Sequence, residues 1–130
     1  MTVRFLLDTH AFLWWLGGDR NLSDTAIDAI ADNTNQVLVS AASAWEIATK
    51  YRIGRLPDVA AIVADLDSVI LGQDFSPLPI TIRHGQVAGN LPGPHKDPFD
   101  RMLIAQAMQE NLVLISNEAV FDAYGVRRLW

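Results

Sequence analysis

The sequence predicts an α/β protein in which helices cover both faces of a central, mostly parallel sheet. Three observations carry this. Short runs rich in branched and aromatic residues at 3–7, 36–40 and 112–115 read as buried strands. Segments with helical apolar spacing separate them. Strands alternating with helices are joined by crossovers, which make parallel pairs and hide both sheet faces.

The elements follow in order. The strand at 3–7 stops at Asp8-Thr9, a helix-start signature, and the helix over 9–16 ends at Gly17-Gly18. Ser23 caps a second helix to about residue 33, whose Ala26, Ile27, Ile30 and Ala31 share one buried face. After the strand at 36–40, Ser43-Ala44-Trp45-Glu46 opens or lies early in a helix that runs to Ile53. Pro57 introduces a single amphipathic helix over 58–71. Residues 75–80 contain two prolines, which forbid a helix interior and fit an edge strand or connector. Thr81 caps a short helix to about residue 90, and 91–96 form a loop. Asp97 and Pro98 suit the N-cap and first position of a helix to residue 111. The strand at 112–115 ends at Ser116-Asn117-Glu118, a short helix ends near Gly125, and 126–130 form a last strand. No repeat or linker divides the 130 residues, so residues 1–130 form one domain.

Composition excludes several functions. With no cysteine, disulfide scaffolds, thiolate metal sites and cysteine nucleophiles are ruled out. Asp and Glu outnumber Lys and Arg by 15 to 10, which argues against nucleic-acid binding through a broad basic surface. Residues 5–16 are apolar, but Asp8 and His10 interrupt them and no small-residue cleavage site follows. We therefore expect a cytoplasmic protein without membrane association.

Four carboxylates stand out by placement: Asp8 after the first strand, Glu46 just after the second, Asp100 on the helix after the proline loop, and Glu118 after the third strand. Asp97 is a fifth, one turn before Asp100. Each has an ordinary structural explanation. Asp8 and Asp97 suit N-caps, Glu46 can close a capping box with Ser43, and Asp100 and Glu118 favour the positive end of a helix dipole. Caps alone give no reason for successive strand ends on one sheet edge to carry acids, and that edge is where ligands gather in open parallel sheets. Two like charges ~4 Å apart repel by about 4 kcal/mol at an effective dielectric of about 20, so such a cluster calls for a cation. Oxygen-only ligands point to Mg²⁺ or Mn²⁺ rather than zinc, and phosphodiester hydrolysis is the natural chemistry of such a site.

At this point the residues meet a known pattern. Phe5-Leu-Leu-Asp-Thr-His-Ala-Phe-Leu-Trp14, Ser43-Ala-Trp-Glu-Ile-Ala48, His95-Lys-Asp-Pro-Phe-Asp-Arg-Met-Leu-Ile-Ala-Gln106 and Leu114-Ile-Ser-Asn-Glu118 resemble, in order and spacing, the motifs of VapC-family PIN domains. The resemblance implies a three-layer α/β/α sandwich, one or two Mg²⁺ or Mn²⁺ ions and endoribonuclease activity. It also implies a homodimer and inhibition by a cognate VapB-type antitoxin. It assigns catalysis to Asp8, Glu46, Asp100 and Glu118, with Asp97 joining them as a metal ligand, and makes Thr9, Ser116 and Asn117 supporting residues. The departure is Glu118, where the family more often has Asp. Its longer arm either reaches further or bonds through water.

Among the remaining residues, Lys50 follows Glu46 by four and pairs with it on the helix face, while Lys50, Arg52 and Arg55 can instead touch RNA phosphates. His95, Lys96 and Arg101 flank the Asp97/Asp100 pair and can place positive charge at a phosphate. Adjacent Trp14 and Trp15 point about 100° apart on a helix, so one is expected to face a partner. His84 reads as a surface helix residue, His10 as packed beside the site, and Arg127 and Arg128 as a solvated edge. Two rival functions remain. One is a phosphatase using Asp8 as nucleophile, although His10 stands where a second Asp belongs. The other is an interaction module in which Glu118 marks a decayed site.

Overall fold

The computed structural model describes residues 2–130. It contains strands β1 (Arg4–Leu7), β2 (Gln36–Ser40), β3 (Ser76–Leu78), β4 (Val113–Ile115) and β5 (Arg128–Leu129). Its helices are α1 (Thr9–Gly17), α2 (Asp24–Ala31), α3 (Ala41–Arg52), α4 (Ala60–Val63), α5 (Leu66–Gly72), α6 (Ile82–Asn90) and α7 (Pro98–Glu110), with 3₁₀ turns at Pro57–Val59 and Ala119–Tyr124. The strands form one sheet in the order β3-β2-β1-β4-β5, and every pair is parallel. The expected α/β fold class holds.

Alternation along the strands builds two cores. Phe5, Leu7, Val37, Val39 and Ile115 face one side, where Ala11 and Phe12 of α1 and Ala26 and Ile30 of α2 cover them. Leu6, Leu38 and Leu114 face the other, against Leu103, Ile104 and Ala107 of α7 and Phe121. Helix α3 contributes to both, through Ile47 on the first side and Ala42 on the second. It thus runs across the carboxyl ends of the strands.

Local chemistry explains where the elements differ from expectation. The helix expected over 58–71 breaks into a 3₁₀ turn, α4 and α5, because the Asp65 carboxylate accepts from Ser68 N–H at 3.1 Å and starts a new helix. Ser40, not Ser43, caps α3; its hydroxyl accepts from Ala42 N–H at 2.9 Å. Ser43 lies inside the helix and is buried, so no capping box with Glu46 forms. The helix expected before Gly125 is a 3₁₀ turn. Pro77 is tolerated in β3 because that strand is an edge, paired only with β2.

Several side chains sit elsewhere than expected. His84 is buried, not on the surface: Thr81 N–H donates to its Nδ1 at 3.1 Å, and its Nε2 lies 3.0 Å from Glu110. His10 is exposed rather than packed, stacked on Trp14 with ring centroids 5.6 Å apart. Both Trp14 and Trp15 are half-buried within the chain, Trp14 against Trp130 and Trp15 against Phe75, with Trp15 Nε1 donating to Gln73 at 2.9 Å. The outward tryptophan is Trp45, 59% exposed and edge-on to Phe99. Arg128 is tied down by Asp122 and by the Ser116 carbonyl. Arg127 is bonded to Asn111.

Candidate active site

Asp8 follows β1, whose last residue pairs with Ile115 of β4 and Val39 of β2, so it stands at the centre of the sheet's carboxyl edge. It does two things at once. One carboxylate oxygen accepts from Ala11 N–H at 2.8 Å and caps α1, and the buried Ser116 hydroxyl also hydrogen-bonds the group. Burial, with a contribution from the charge of Glu118, nevertheless holds its pKa above the ordinary carboxylate value.

Asp100 enters from α7. Asp97 is the N-cap there, accepting from Phe99 N–H at 2.9 Å and Asp100 N–H at 3.1 Å, and Pro98 occupies the first turn as expected. One Asp100 oxygen lies 2.8 Å from His95 Nε2. Burial, followed by the charges of Asp97 and Glu118, pushes its pKa up to about 6 against the His95 hydrogen bond. Glu118 is thus the charge felt by both Asp8 and Asp100. It occupies the cap position of the last 3₁₀ turn, yet its side chain caps nothing, while its own N–H donates to Ser116 Oγ at 3.0 Å. Ser116 thereby touches two of the acids, whereas Asn117 is exposed.

Glu46 is buried on α3 and differently partnered. Thr9 Oγ1 donates to one oxygen at 2.6 Å, and Lys50 Nζ is paired with the other. The Thr9 and Ser43 hydroxyls lie 3.0 Å apart, so Thr9 supports Glu46 directly. The structure therefore brings the charge of Glu118 to bear on both Asp8 and Asp100 and that of Asp97 on Asp100, and sets Glu46 against Lys50 and Thr9.

The expected phosphate contacts divide. Arg52 and Lys96 are exposed, while His95 and Lys50 are held by acids. Arg101 turns away: its guanidinium donates to the carbonyls of Ala88, Leu91 and His95 and fastens the loop between α6 and α7. Residues 92–96 make no backbone–backbone hydrogen bond among the described residues. Tyr124 adds a second tie, its hydroxyl accepting from His95 N–H at 3.2 Å. The same hydroxyl lies 2.8 Å from where a Cβ on Gly93 would stand, and Gly93 has φ of +97°, so only glycine fits there. Sequence reasoning missed Tyr124 and Gly93, because only the folded loop brings them together.

The donor set suits an oxygen-seeking divalent cation. Its members are all carboxylates, and two have pKa values raised in part by neighbouring negative charge, which a cation would relieve. Among the described residues no three acids or histidines stand close enough together to enclose an ion.

The sequence model of the PIN domain matches residues 5–126. Ribonuclease VapC16 of Mycobacterium tuberculosis is 61% identical over 28 residues, a match spanning 22% of this chain and only 20% of that protein. Among solved structures, VapBC2 from Rickettsia felis bound to a DNA fragment from its promoter aligns with a TM-score of 0.70 at 14% identity, covering 98% of each chain. The sarcin-ricin loop cleaving toxin VapC20 of Mycobacterium tuberculosis aligns at 0.63 and 19% identity, over 94% of this chain and 95% of that one. At these identities the structural likeness establishes the shared fold.

Proposed function

The chain belongs to the PIN-domain family, and from that premise we propose that it is a Mg²⁺- or Mn²⁺-dependent endoribonuclease, the toxin of a VapBC-type pair. The observation that carries the reading is the convergence of Asp8, Asp100 and Glu118 at the carboxyl edge of an all-parallel sheet, where one acid's charge reaches the other two. Asp8 and Asp100 would hold the ion, with Glu118, whose charge reaches both, and Asp97 and Glu46 contributing charge around it. When bound, a divalent cation supplies Lewis-acid stabilisation of charge developing on the phosphate. The chain's own groups do the rest. Ser116 and the Ala11 N–H orient the Asp8 carboxylate, and His95 orients that of Asp100. Asp100, with its pKa near 6, is ionised at neutral pH and able to accept a proton there. Lys50 and Thr9 hold Glu46 in place, and exposed Lys96 and Arg52 offer contacts to an RNA backbone.

The proposed setting is the cytoplasm, with a VapB-type antitoxin as inhibitor. VapBC2, as its name states, is such a pair. A homodimer belongs to the same reading, supported by exposed Trp45 beside Phe99 rather than by Trp14 and Trp15. The aspartyl-phosphate alternative gains no support, since His10, two residues on, turns to solvent against Trp14.

The test is RNA cleavage by the purified protein with Mg²⁺, Mn²⁺ or EDTA. We expect metal-dependent internal cleavage, abolished in Asp8→Asn while the circular dichroism spectrum is retained. Full activity of Asp8→Asn would sink the assignment. Sedimentation at micromolar concentration tests the dimer, and a strictly monomeric mass would refute it.

A further inference from the structure

Beside the acids lies a recess of about 280 Å³ lined by Thr9, His10, Leu13, Lys50, Arg55 and Leu56. It starts at the site itself, because Thr9 follows Asp8 in the chain and hydrogen-bonds Glu46. Its polar lining is basic in a chain of net charge −5. Lys50 is already paired with Glu46. Arg55 is exposed, and its guanidinium makes no hydrogen bond or ion pair among the described residues. Its backbone N–H donates to the Lys50 carbonyl at 2.8 Å, which seats it just past the end of α3. Also lining the recess, the exposed His10 ring is backed by Trp14, the two planes 26° apart. A free guanidinium and a backed aromatic ring lining one recess, next to a site for phosphodiester chemistry, are the two parts of a nucleotide subsite: a phosphate contact and a stacking platform.

We propose that this recess holds the unpaired nucleotide next to the scissile phosphate of a single-stranded RNA, with Arg55 on its phosphate and the His10 ring stacked on its base. The inference rests on the ribonuclease reading. The recess is near the lower end of small-ligand sites, about 300 Å³, so it takes one base and excludes a base pair. It thereby selects single-stranded segments and sets the strand's direction across the acids. Lys50 adds charge, but because Glu46 shares it, Arg55 carries the contact.

The experiment measures binding of a fluorescent, mixed-sequence single-stranded RNA of about ten nucleotides by anisotropy, in EDTA, over a series of sodium chloride concentrations. Wild type is compared with Arg55→Gln, His10→Ala and His10→Phe. Arg83→Gln is the control, since it removes an equal charge from α6. Arg55→Gln is expected to flatten the slope of log affinity against log salt by about 0.7, the increment of one single-strand phosphate contact, while Arg83→Gln keeps the wild-type slope. His10→Ala is expected to weaken binding about fivefold or more with the slope unchanged, and His10→Phe to restore it. Wild-type slope and affinity in Arg55→Gln would overturn the subsite, as would equal losses in Arg55→Gln and Arg83→Gln. Cleavage of the same RNA by wild type once Mn²⁺ is added separates the two levels. A wild type that cleaves while Arg55→Gln binds normally leaves the ribonuclease reading standing without this subsite. A wild type that neither binds nor cleaves RNA removes both.

Discussion

Replacing Asp100 with Asn removes a charge that the apo protein holds at a cost, and the cost can be read from the site. In the unfolded chain this carboxyl ionises near its ordinary value of 3.8, whereas in the fold it does so at about 6, chiefly through burial and then through Asp97 and Glu118. The folded state therefore binds more protons between those values. The group's contribution to stability is complete below the unfolded value and is lost as pH rises through about 6. The full difference corresponds to at most about 3 kcal/mol. Because the side chain is 18% exposed and solvent screens it, we expect about 1 kcal/mol to appear between about pH 5 and about pH 8. Urea unfolding in EDTA measures this. Wild type should lose about 0.3–1 M in midpoint across that range relative to Asp100→Asn, for slopes of about 1–3 kcal/mol/M. Saturating Mg²⁺ should restore wild type most at the alkaline end, because the ionised carboxylate binds it. Parallel pH dependence of the two proteins would refute the reasoning, since it would mean that Asp100 is neither desolvated nor pressed by its neighbours.

Other outcomes follow from the same geometry. Glu118→Gln should lower cleavage partially and raise the Mg²⁺ needed for half-maximal rate, while Asp100→Asn stays nearly inactive at any Mg²⁺. A Glu118→Gln titration superimposable on wild type would leave a site of three acids. Gly93→Ala places a Cβ against the Tyr124 hydroxyl at a left-handed backbone position and should cost about 1–3 kcal/mol by thermal unfolding. Adding Tyr124→Phe should recover only part of that loss, because it removes the 2.8 Å contact but leaves ring carbons at 3.2 and 3.3 Å and the left-handed backbone strain. Glu46→Gln should release Lys50 and weaken cleavage without the pH-dependent stability gain of Asp100→Asn, and a matching gain would place Glu46 among the mutually repelling acids.

The strand runs and caps were legible in the sequence because they depend on neighbours in the chain: Asp8, Thr81 and Asp97 cap where expected. Asp8 and Glu118 were legible together because parallel topology sends strand ends to one edge, whereas Asp100, on α7, was tied to them by the motif resemblance. What was hidden depends on partners far along the chain. His84 looks like a polar residue on a short surface helix, yet Glu110, 26 positions on, gives it a buried partner. Arg101 looks like a phosphate ligand, and only the folded course of residues 88–95 shows that each of its three guanidinium nitrogens donates to a carbonyl. The break at Asp65 was readable in principle, since Asp65 and Ser68 form a local cap, but the continuous apolar spacing of 58–71 masked it.

The way Arg101 is used has a kinetic consequence. A segment without a backbone ladder has no cooperative unit to protect it, so its opening is governed by whatever single group ties it down. Here one planar cation bridges the last turn of α6, the start of the loop and the residue that steadies Asp100. Arg101 thereby links these three points, while Tyr124 holds the His95 N–H independently. Arg101→Leu should therefore accelerate amide exchange at His95, whose N–H is held by Tyr124, while exchange in β1 and β4 stays slow. The acid site then inherits its local rigidity from a residue that bears the opposite charge and never touches the chemistry.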